Sequence, residues 1–404
     1  MTIKRVIIHL GMAKAGSSSI QHTLYNNTGI LEKNGFRYLT EWGVNHLYIL
    51  HKLLSPNPVM PIGTGNFGKS PFNVKQKNKK AVNTMLRVMN TTACETLILS
   101  GEYFAELYHD TTIENIKKFI GKYFKSEGIE TTIVYFVRNP LTWLISSLQQ
   151  QIFTKGFMSK NGDFFEIRMK QYEGVVNLKK HFSDSLLLFK FEDACLDKDG
   201  LSGCFLKAIG FPEDNLNNIK EIRKNESRSM EAMEFINYIE AVEPRYPYMH
   251  YRRENPNRSL KDIKSLLDIK GAKFDLPYQS KVEFWSRFSG TIKLLMESTG
   301  IDYTDYKISP PLFSPETYAE ESIQSFIDAF PKLNFALQKH FIRFFEKKYM
   351  ETAQEKFKQL HFKDSIPYTI YNNKNAFFSL LILSIKNRVF ALIPHRLKKT
   401  MKWI

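Results

Sequence analysis

The chain has 404 residues, with 57 Lys and Arg against 41 Asp and Glu, so its formal net charge is +16. Hydrophobic residues make up 43% and charged residues 24%, which excludes collagen-like, low-complexity and wholly disordered chains. The length allows a large core with extensions. The positive charge predicts an anionic partner, and the charge alone does not choose among a nucleotide, nucleic acid, an acidic glycan and a membrane surface.

The first strand predicted from the chain is residues 4–10, a short apolar run that is followed by Gly11. This run is too short for a signal peptide or a spanning helix. Cysteine occurs at three positions, Cys94, Cys195 and Cys204, with neither a disulfide framework nor a Cys-x-x-Cys pair. The sequence therefore predicts a protein of the reducing cytosol.

Further strands are predicted where β-branched and aromatic residues cluster. They are residues 97–99, 132–137 and 186–191. Helical spacing is found between them, beginning with residues 17–31. Continuously apolar strands that alternate with helices predict an α/β fold, in which helices cover both faces of a parallel sheet.

The chain is predicted to have three consecutive parts: an α/β core over 1–220, a helical region over 221–308 and a helical extension over 309–404. Residues 69–80 follow Gly68 and carry five lysines among Asn and Pro, and they are interpreted as a mobile basic loop. Residues 374–404 hold seven basic residues and no acidic one. This apolar, basic tail, from 376 onward, suits either peripheral contact with an anionic membrane or docking on the domain.

The most specific motif lies between the first strand and the first helix. It runs His9-Leu10-Gly11-Met12-Ala13-Lys14-Ala15-Gly16-Ser17-Ser18-Ser19. Its glycines permit close approach of an oxyanion, and its amides and hydroxyls can bind one at the helix N-terminus. It is not a Walker A loop, because Ser17 rather than lysine follows Gly16. It is not Gly-x-Gly-x-x-Gly either, so a dinucleotide fold is not expected.

The run Lys14-Ala15-Gly16-Ser17-Ser18 resembles the 5′-phosphosulfate loop of sulfotransferases that use 3′-phosphoadenosine 5′-phosphosulfate (PAPS). The longer run is similar to bacterial carbohydrate-type sulfotransferases, whose fold is P-loop-like. The resemblance implies that residues 1–220 form a PAPS-binding core, with Lys14 as a catalytic residue. It implies PAPS contacts from the rest of the loop, namely Gly11, Ala15, Gly16, Ser17, Ser18 and Ser19.

Arg138-Asn139-Pro140 resembles the turn of this family that binds the 3′-phosphate. Arg138 ends a predicted strand and can bind a phosphate with two parallel hydrogen bonds. Ser146 lies two helical turns further on and is predicted to face the same oxygens, with Ser147 as the alternative. Arg138 and Ser146 are therefore assigned to the same PAPS site.

Two more segments resemble the family. Glu192-Asp193 follows the fourth strand and is interpreted as a strand-end, capping pair. In 225–229, Ser229 is predicted to cap a helix, and Arg228 is either a 3′-phosphate ligand or a surface residue. The C-terminal Arg-Lys-Gly stretch of many cytosolic sulfotransferases is not evident here.

Sulfuryl transfer to a hydroxyl needs a cation at the leaving oxygen and a base at the acceptor. Lys14 is the predicted cation. The predicted bases are His46, in the segment after the first helix, and Glu102, at the carboxyl end of a predicted strand. We expect no metal, since the sequence shows no metal-ligand spacing.

The leading hypothesis from the sequence is a PAPS-dependent sulfotransferase that releases adenosine 3′,5′-bisphosphate. The resemblance implies a glycan acceptor, such as a cell-surface polysaccharide unit or its lipid-linked precursor. We expect a cytoplasmic protein at the inner face of the membrane and no nucleic-acid partner. The alternatives are a small-molecule or lipid acceptor, a P-loop kinase of a small substrate, and a non-enzymatic basic module.

Overall fold

The structure is a computed structural model. It describes residues 2–55, 71–102, 107–155, 163–223, 227–243, 264–311 and 320–352. Contacts divide the chain into two compact units. Unit 1 comprises Met1–Ser227 and Lys273–Leu312, and unit 2 comprises Arg228–Ala272 and Phe313–Ile404. The predicted division into residues 1–220, 221–308 and 309–404 stays a prediction.

Unit 1 is built on a parallel sheet of five strands. The strands are β1 (Arg5–Gly11), β2 (Phe36–Tyr38), β3 (Thr96–Glu102), β4 (Glu130–Val137) and β5 (Leu186–Lys190). Their order across the sheet is β2-β3-β1-β4-β5. The sheet and its helices confirm the α/β prediction.

The register of the sheet decides which residues meet at its carboxyl edge. Gly11 of β1 pairs with Glu102 of β3, and Val137 of β4 pairs with Lys190 of β5. Ligands of parallel sheets bind beyond this edge, where the loops emerge. The loop after β1, Glu102 and the turn after β4 therefore leave the sheet at the same edge.

The helices of unit 1 connect and cover these strands. They are α1 (Ser17–Asn26), α2 (Thr28–Lys33), α3 (Leu47–Leu54), α4 (Pro71–Thr91), α5 (Asp110–Tyr123), α6 (Pro140–Lys155), α7 (Asp163–Phe182), α8 (Phe191–Leu196), α9 (Gly200–Ala208) and α11 (Tyr278–Thr299). Helix α11 comes from the second segment of unit 1 and packs along α7.

The centre of unit 1 is apolar on both faces of the sheet. Every residue from Val6 to Gly11 is buried, and so is every residue from Ile133 to Val137. Strands buried on both faces must be apolar throughout, which explains the unbroken apolar runs in the sequence. A rigid sheet thus holds the loops at its edge in fixed positions.

Unit 2 contains α10 (Met230–Val242), α12 (Glu320–Ala329) and α13 (Phe335–Thr352). Its core is aromatic, with Phe235 packed edge-on against Phe326 and Phe341 at centroid distances of 6.1 and 5.2 Å. Ser229 caps α10, since its Oγ accepts a hydrogen bond from the Ala232 amide at 3.2 Å. This capping role confirms the prediction for Ser229.

The basic loop predicted over residues 69–80 is wrong from Pro71 onward, where α4 begins. Proline is well tolerated in the first turn of a helix. Among the lysines that follow, apolar residues recur at helical spacing and are buried, including Val74, Val82 and Met85. The segment is therefore an amphipathic helix with a basic outer side.

The tail over 376–404 and the start of the basic loop lie outside the described residues. In the part of the chain that is described, no helix is both long and apolar enough to cross a bilayer.

Candidate nucleotide-binding site

The loop between β1 and α1 has its carbonyl oxygens engaged by donors of the protein. Ser17 Oγ donates to the Met12 carbonyl at 3.3 Å, and Trp143 Nε1 donates to the Ala13 carbonyl at 2.9 Å. Arg138 Nη1 donates to the Lys14 carbonyl. At the end of this loop, the Ser19 amide donates to the Gly16 carbonyl at 2.9 Å, whereas the α1 amides before it have no preceding helical carbonyl to bind. The loop therefore offers amides and hydroxyls, and not carbonyls, to an anion.

Two glycines shape this loop. A Cβ on Gly11 would lie 2.2 Å from Ser17 Oγ, so only glycine lets the strand end pass this close to α1. Gly16 has φ 75°, and a Cβ there would lie 2.1 Å from Leu201 Cδ2. Both positions thus need glycine, because a Cβ would clash with Ser17 at one and with Leu201 at the other.

Lys14 adopts φ 65° and is the one residue other than glycine with positive φ among those described. The left-handed conformation costs a residue with a Cβ about 1–2 kcal/mol. The bonds from Trp143 and Arg138 to adjacent carbonyls hold the backbone in this shape. Strain that the surroundings maintain is typical of functional sites.

A pocket of about 260 Å³ opens above the loop. The predicted site residues that line it are Lys14, Gly16, Ser17, Ser18, Ser19, Glu102, Arg138 and Ser146. The structure thus brings together three segments that are far apart in the chain. Gly11 and Ala15 support the loop from behind, since both are buried and neither is part of the lining.

Arg138 lies on one wall of the pocket. Its Nε donates to Thr142 Oγ1 at 3.2 Å, and its guanidinium lies 5.0 Å from the centre of the Phe191 ring. Burial lowers the pKa of Arg138, but arginine stays charged at any working pH. The side chain is therefore a fixed cation at the pocket.

The turn that carries Arg138 is held by Glu192. The Glu192 carboxylate accepts hydrogen bonds from the Asn139 amide at 3.1 Å, from Thr142 Oγ1 at 2.9 Å and from the Tyr303 hydroxyl at 2.9 Å. Tyr303 also lies 2.8 Å from the Val137 carbonyl oxygen. The predicted strand-end, capping pair thus lies in the first turn of α8, and Glu192 binds the turn before α6 instead of capping its own helix.

The two serines proposed for the 3′-phosphate differ in position. Ser146 lines the pocket beside Arg138. Ser147 is 7% exposed, and its Oγ has no hydrogen-bond partner among the described residues. The structure therefore favours Ser146 over its neighbour as a pocket residue.

Glu102 ends β3 at the level of Gly11 and lines the pocket beside the loop. Its carboxylate accepts a hydrogen bond from Ser18 Oγ at 3.4 Å. Burial raises the pKa of Glu102, while the charge of Lys14 and the Ser18 hydroxyl lower it in part. A carboxylate with a raised pKa beside a cation is suited to accept a proton.

The predicted role of His46 as a base is corrected by its position. The side chain is 0% exposed, and its ring stacks on Tyr38 at a centroid distance of 4.7 Å. The Ser100 amide donates to His46 Nδ1 at 3.0 Å, and burial lowers the pKa of His46 to about 3. His46 is thus a neutral core residue that orders β3, and it does not line the pocket.

Six further lining residues were not predicted as site residues: Phe191, Cys195, Gly200, Leu201, Glu221 and Arg223. Phe191 follows β5 at the carboxyl edge of the sheet, a position that could have indicated it. Arg223 adds a third cation to the lining and donates to Glu221 Oε2 at 3.0 Å. Nothing in the local sequence indicates Arg223.

No protein-family model matches the chain, and no curated protein matches it. Two solved structures are similar to it. One is a crystal structure of retinol dehydratase in complex with androsterone and inactive cofactor PAP, with 14% identity, 74% of this chain and 83% of that chain covered, and a TM-score of 0.30. The other is the sulfotransferase domain from the curacin biosynthetic pathway, with 15% identity, 71% and 98% covered, and a TM-score of 0.30.

At these TM-scores the two structures do not indicate what this chain does, and the geometry of its own pocket is the better guide. That geometry defines an α/β protein with an anion-binding loop between a strand and a helix. Three cations, Lys14, Arg138 and Arg223, line the pocket together with the half-buried carboxylate of Glu102. Among the described residues, no group of three or more His, Cys, Asp or Glu side chains is placed to hold a metal ion.

Proposed function

We propose that this protein is a sulfotransferase that moves a sulfuryl group from PAPS to a hydroxyl of an acceptor. One observation carries the proposal. The loop of Lys14, the strand-end Glu102 and the Arg138 turn with Ser146 line a single pocket. An anion-binding loop, a second cation and a carboxylate are the parts that this reaction requires.

The residues present fit a donor with anionic groups at two ends. The amides and hydroxyls of residues 16–19 would hold the 5′-phosphosulfate at the start of α1. Arg138, with Ser146 beside it, would hold the 3′-phosphate. When bound, PAPS supplies the sulfuryl group and leaves as adenosine 3′,5′-bisphosphate.

Two side chains would then act on the reacting groups. The Lys14 ammonium neutralises negative charge that develops on the leaving oxygen, which lowers the barrier most in a water-poor pocket. Glu102 accepts the proton of the acceptor hydroxyl, a task that its raised pKa favours. Ser18 donates to Glu102 and thereby fixes its orientation.

The acceptor that we propose is a glycan, either on the cell surface or as a lipid-linked precursor at the inner face of the membrane. The resemblance of the loop to bacterial carbohydrate-type sulfotransferases supports this choice, as does the basic character of the chain. A small molecule or a lipid is the alternative acceptor.

A kinase acting on a small substrate is the second candidate function, and one contact favours it. Ser18 stands two residues after Gly16, where a P-loop places its Mg²⁺-binding hydroxyl. It contacts the carboxylate of Glu102 at 3.4 Å, and a hydroxyl with a carboxylate can bind Mg²⁺. Against a kinase, Ser17 occupies the position of the P-loop lysine.

Calorimetry with two nucleotides separates the candidates. A sulfotransferase binds adenosine 3′,5′-bisphosphate in the presence of EDTA, whereas a kinase binds ATP only with Mg²⁺. We then expect Lys14→Ala to lower PAPS turnover by about 10²–10³-fold with the fold retained. Lys118→Ala, at an exposed position on α5, is the matched control. Full turnover by Lys14→Ala would refute the mechanism.

A further inference from the structure

A long basic segment of the sequence lies between Glu41 and Glu95. Between Glu41 and Glu95 the sequence contains no Asp or Glu but seven Lys and Arg, so this stretch contributes +7 to the net charge of +16. Most of these cations lie on α4. Glu95, which ends this stretch, forms an ion pair with Lys4 at 2.6 Å, outside the stretch.

Helix α4 has two sides of different chemistry. Its inner side is apolar and buried, through Val74, Val82, Met85, Val88 and Met89. Its outer side forms a groove of about 430 Å³, here called the α4 face, lined by Gln76, Lys79, Lys80, Asn83, Thr84 and Arg87. These six positions recur every three or four residues, so they form one continuous stripe of roughly three turns.

The cations of the α4 face have no carboxylate partner. Lys79, Lys80 and Arg87 form no ion pair with any residue that the structure describes. On the same helix, the charge of Lys77 adds to burial in lowering the pKa of Lys52 on α3. A surface that gathers like charges pays for them in folding stability, which indicates an anionic ligand.

The α4 face is held in place by the body of unit 1. Trp42 Nε1 donates to the Ala81 carbonyl at 3.2 Å, and Asn78 Nδ2 donates to the Lys52 carbonyl at 2.8 Å. Helix α3 packs against both α4 and β3, the strand that ends at Glu102. The stripe is therefore a fixed part of the unit that contains the pocket.

The side chains of the stripe discriminate between classes of polyanion. None of its six lining residues is aromatic, so they cannot stack the bases of single-stranded nucleic acid. None is a large apolar residue that could enter a bilayer surface. Three cations interleaved with two amides and a hydroxyl suit a ligand that carries both carboxylates and hydroxyls.

We propose that the α4 face binds an acidic polysaccharide. That this polysaccharide is also the acceptor rests on the proposed function, whereas its binding to α4 does not. The acceptor chain would then be held along the stripe while one of its hydroxyls is presented to Glu102.

Calorimetry with oligoglucuronate tests the proposal, with a neutral glucan of equal length as the reference ligand. The test variant combines Lys79→Gln, Lys80→Gln and Arg87→Gln. We expect it to bind oligoglucuronate roughly tenfold or more weakly, because each exposed ion pair contributes roughly two- to fivefold. The control variant combines Lys118→Gln, Lys122→Gln and Lys125→Gln, which remove the same charge from exposed positions around α5, and should bind normally.

Several outcomes would overturn the proposal: wild-type protein that does not bind oligoglucuronate, equal loss in the two variants, or equal binding of the neutral glucan. Tighter binding of single-stranded DNA or of phosphatidylserine vesicles through the same three residues would also overturn it. Adenosine 3′,5′-bisphosphate is titrated into each variant in parallel. Failure of that nucleotide to bind wild-type protein would refute the proposed function and leave the oligoglucuronate result intact.

Discussion

Removing the hydroxyl of Tyr303 tests whether the second segment of unit 1 positions the nucleotide site. The side chain is 7% exposed, and its hydroxyl lies 2.9 Å from Glu192 Oε2 and 2.8 Å from the Val137 carbonyl oxygen. Burial and the charge of Glu192 raise the pKa of Tyr303, so the hydroxyl keeps its proton. Tyr303→Phe keeps the ring and removes only the donor.

The loss of stability follows from the Glu192 carboxylate, which loses a hydrogen-bond donor in Tyr303→Phe. A hydrogen bond to a charged group contributes about 1.5–3 kcal/mol, so we expect the free energy of unfolding to fall by about 2 kcal/mol. Glu192 also caps the Arg138 turn through the Asn139 amide. A loosened turn should weaken the grip of Arg138 on a 3′-phosphate by roughly fivefold, or about 1 kcal/mol.

Two titrations separate a positioning role from a general loss of stability. Adenosine 3′,5′-bisphosphate contacts the Arg138 turn in our proposal, whereas adenosine 5′-monophosphate reaches only the loop. We expect Tyr303→Phe to weaken binding of the first nucleotide and spare the second. Tyr278→Phe is the control, since Tyr278 is 48% exposed on the same segment. An unchanged ratio of the two affinities would refute the reasoning.

Two further substitutions probe the pocket. Burial raises the pKa of Glu102, so its basic form is lost as the pH falls through a value above the ordinary glutamate range. The acidic limb of the kcat profile should lie at that pH. Glu102→Gln should abolish the limb and lower kcat by about 10²–10⁴-fold. A limb at the ordinary glutamate pKa would contradict this. Gly16→Ala should destabilise the fold by about 1–3 kcal/mol in urea unfolding, because its Cβ would lie 2.1 Å from Leu201 Cδ2 at φ 75°. Gly29→Ala, in open space on α2, should not; equal effects of the two would count against the steric argument.

Much of the sheet could be predicted because its central strands β1, β3 and β4 are largely buried and therefore form long apolar runs in the sequence. Strand β2 was missed, since its three residues, Phe36–Tyr38, are too few to form a pattern. The loop could be located because its parts are consecutive, although Gly11 and Ala15 do not line the pocket. Glu102 and Arg138 were predicted because each ends a strand, and the carboxyl ends of parallel strands share one edge.

The rest depends on tertiary contacts that the local sequence does not contain. His46 has the chemistry of a base, but only the packing of Tyr38 and Trp42 around it shows that it is buried. The lysines of α4 conceal a buried apolar side because charge and helical spacing are independent signals. Arg223 reaches the pocket from far along the chain, and Tyr303 supports it from further still.

The return of the chain to unit 1 has a consequence for synthesis on the ribosome. All five strands have been made once Lys190 emerges, but Tyr303 follows Val137 by 166 residues. At roughly 5–20 residues per second, Tyr303 is synthesised on the order of ten to thirty seconds after the Arg138 turn. A nascent chain can thus complete its sheet well before Tyr303 contacts the Arg138 turn. Under the proposed function, translation that stops before residue 303 would leave a folded sheet with weaker nucleotide binding.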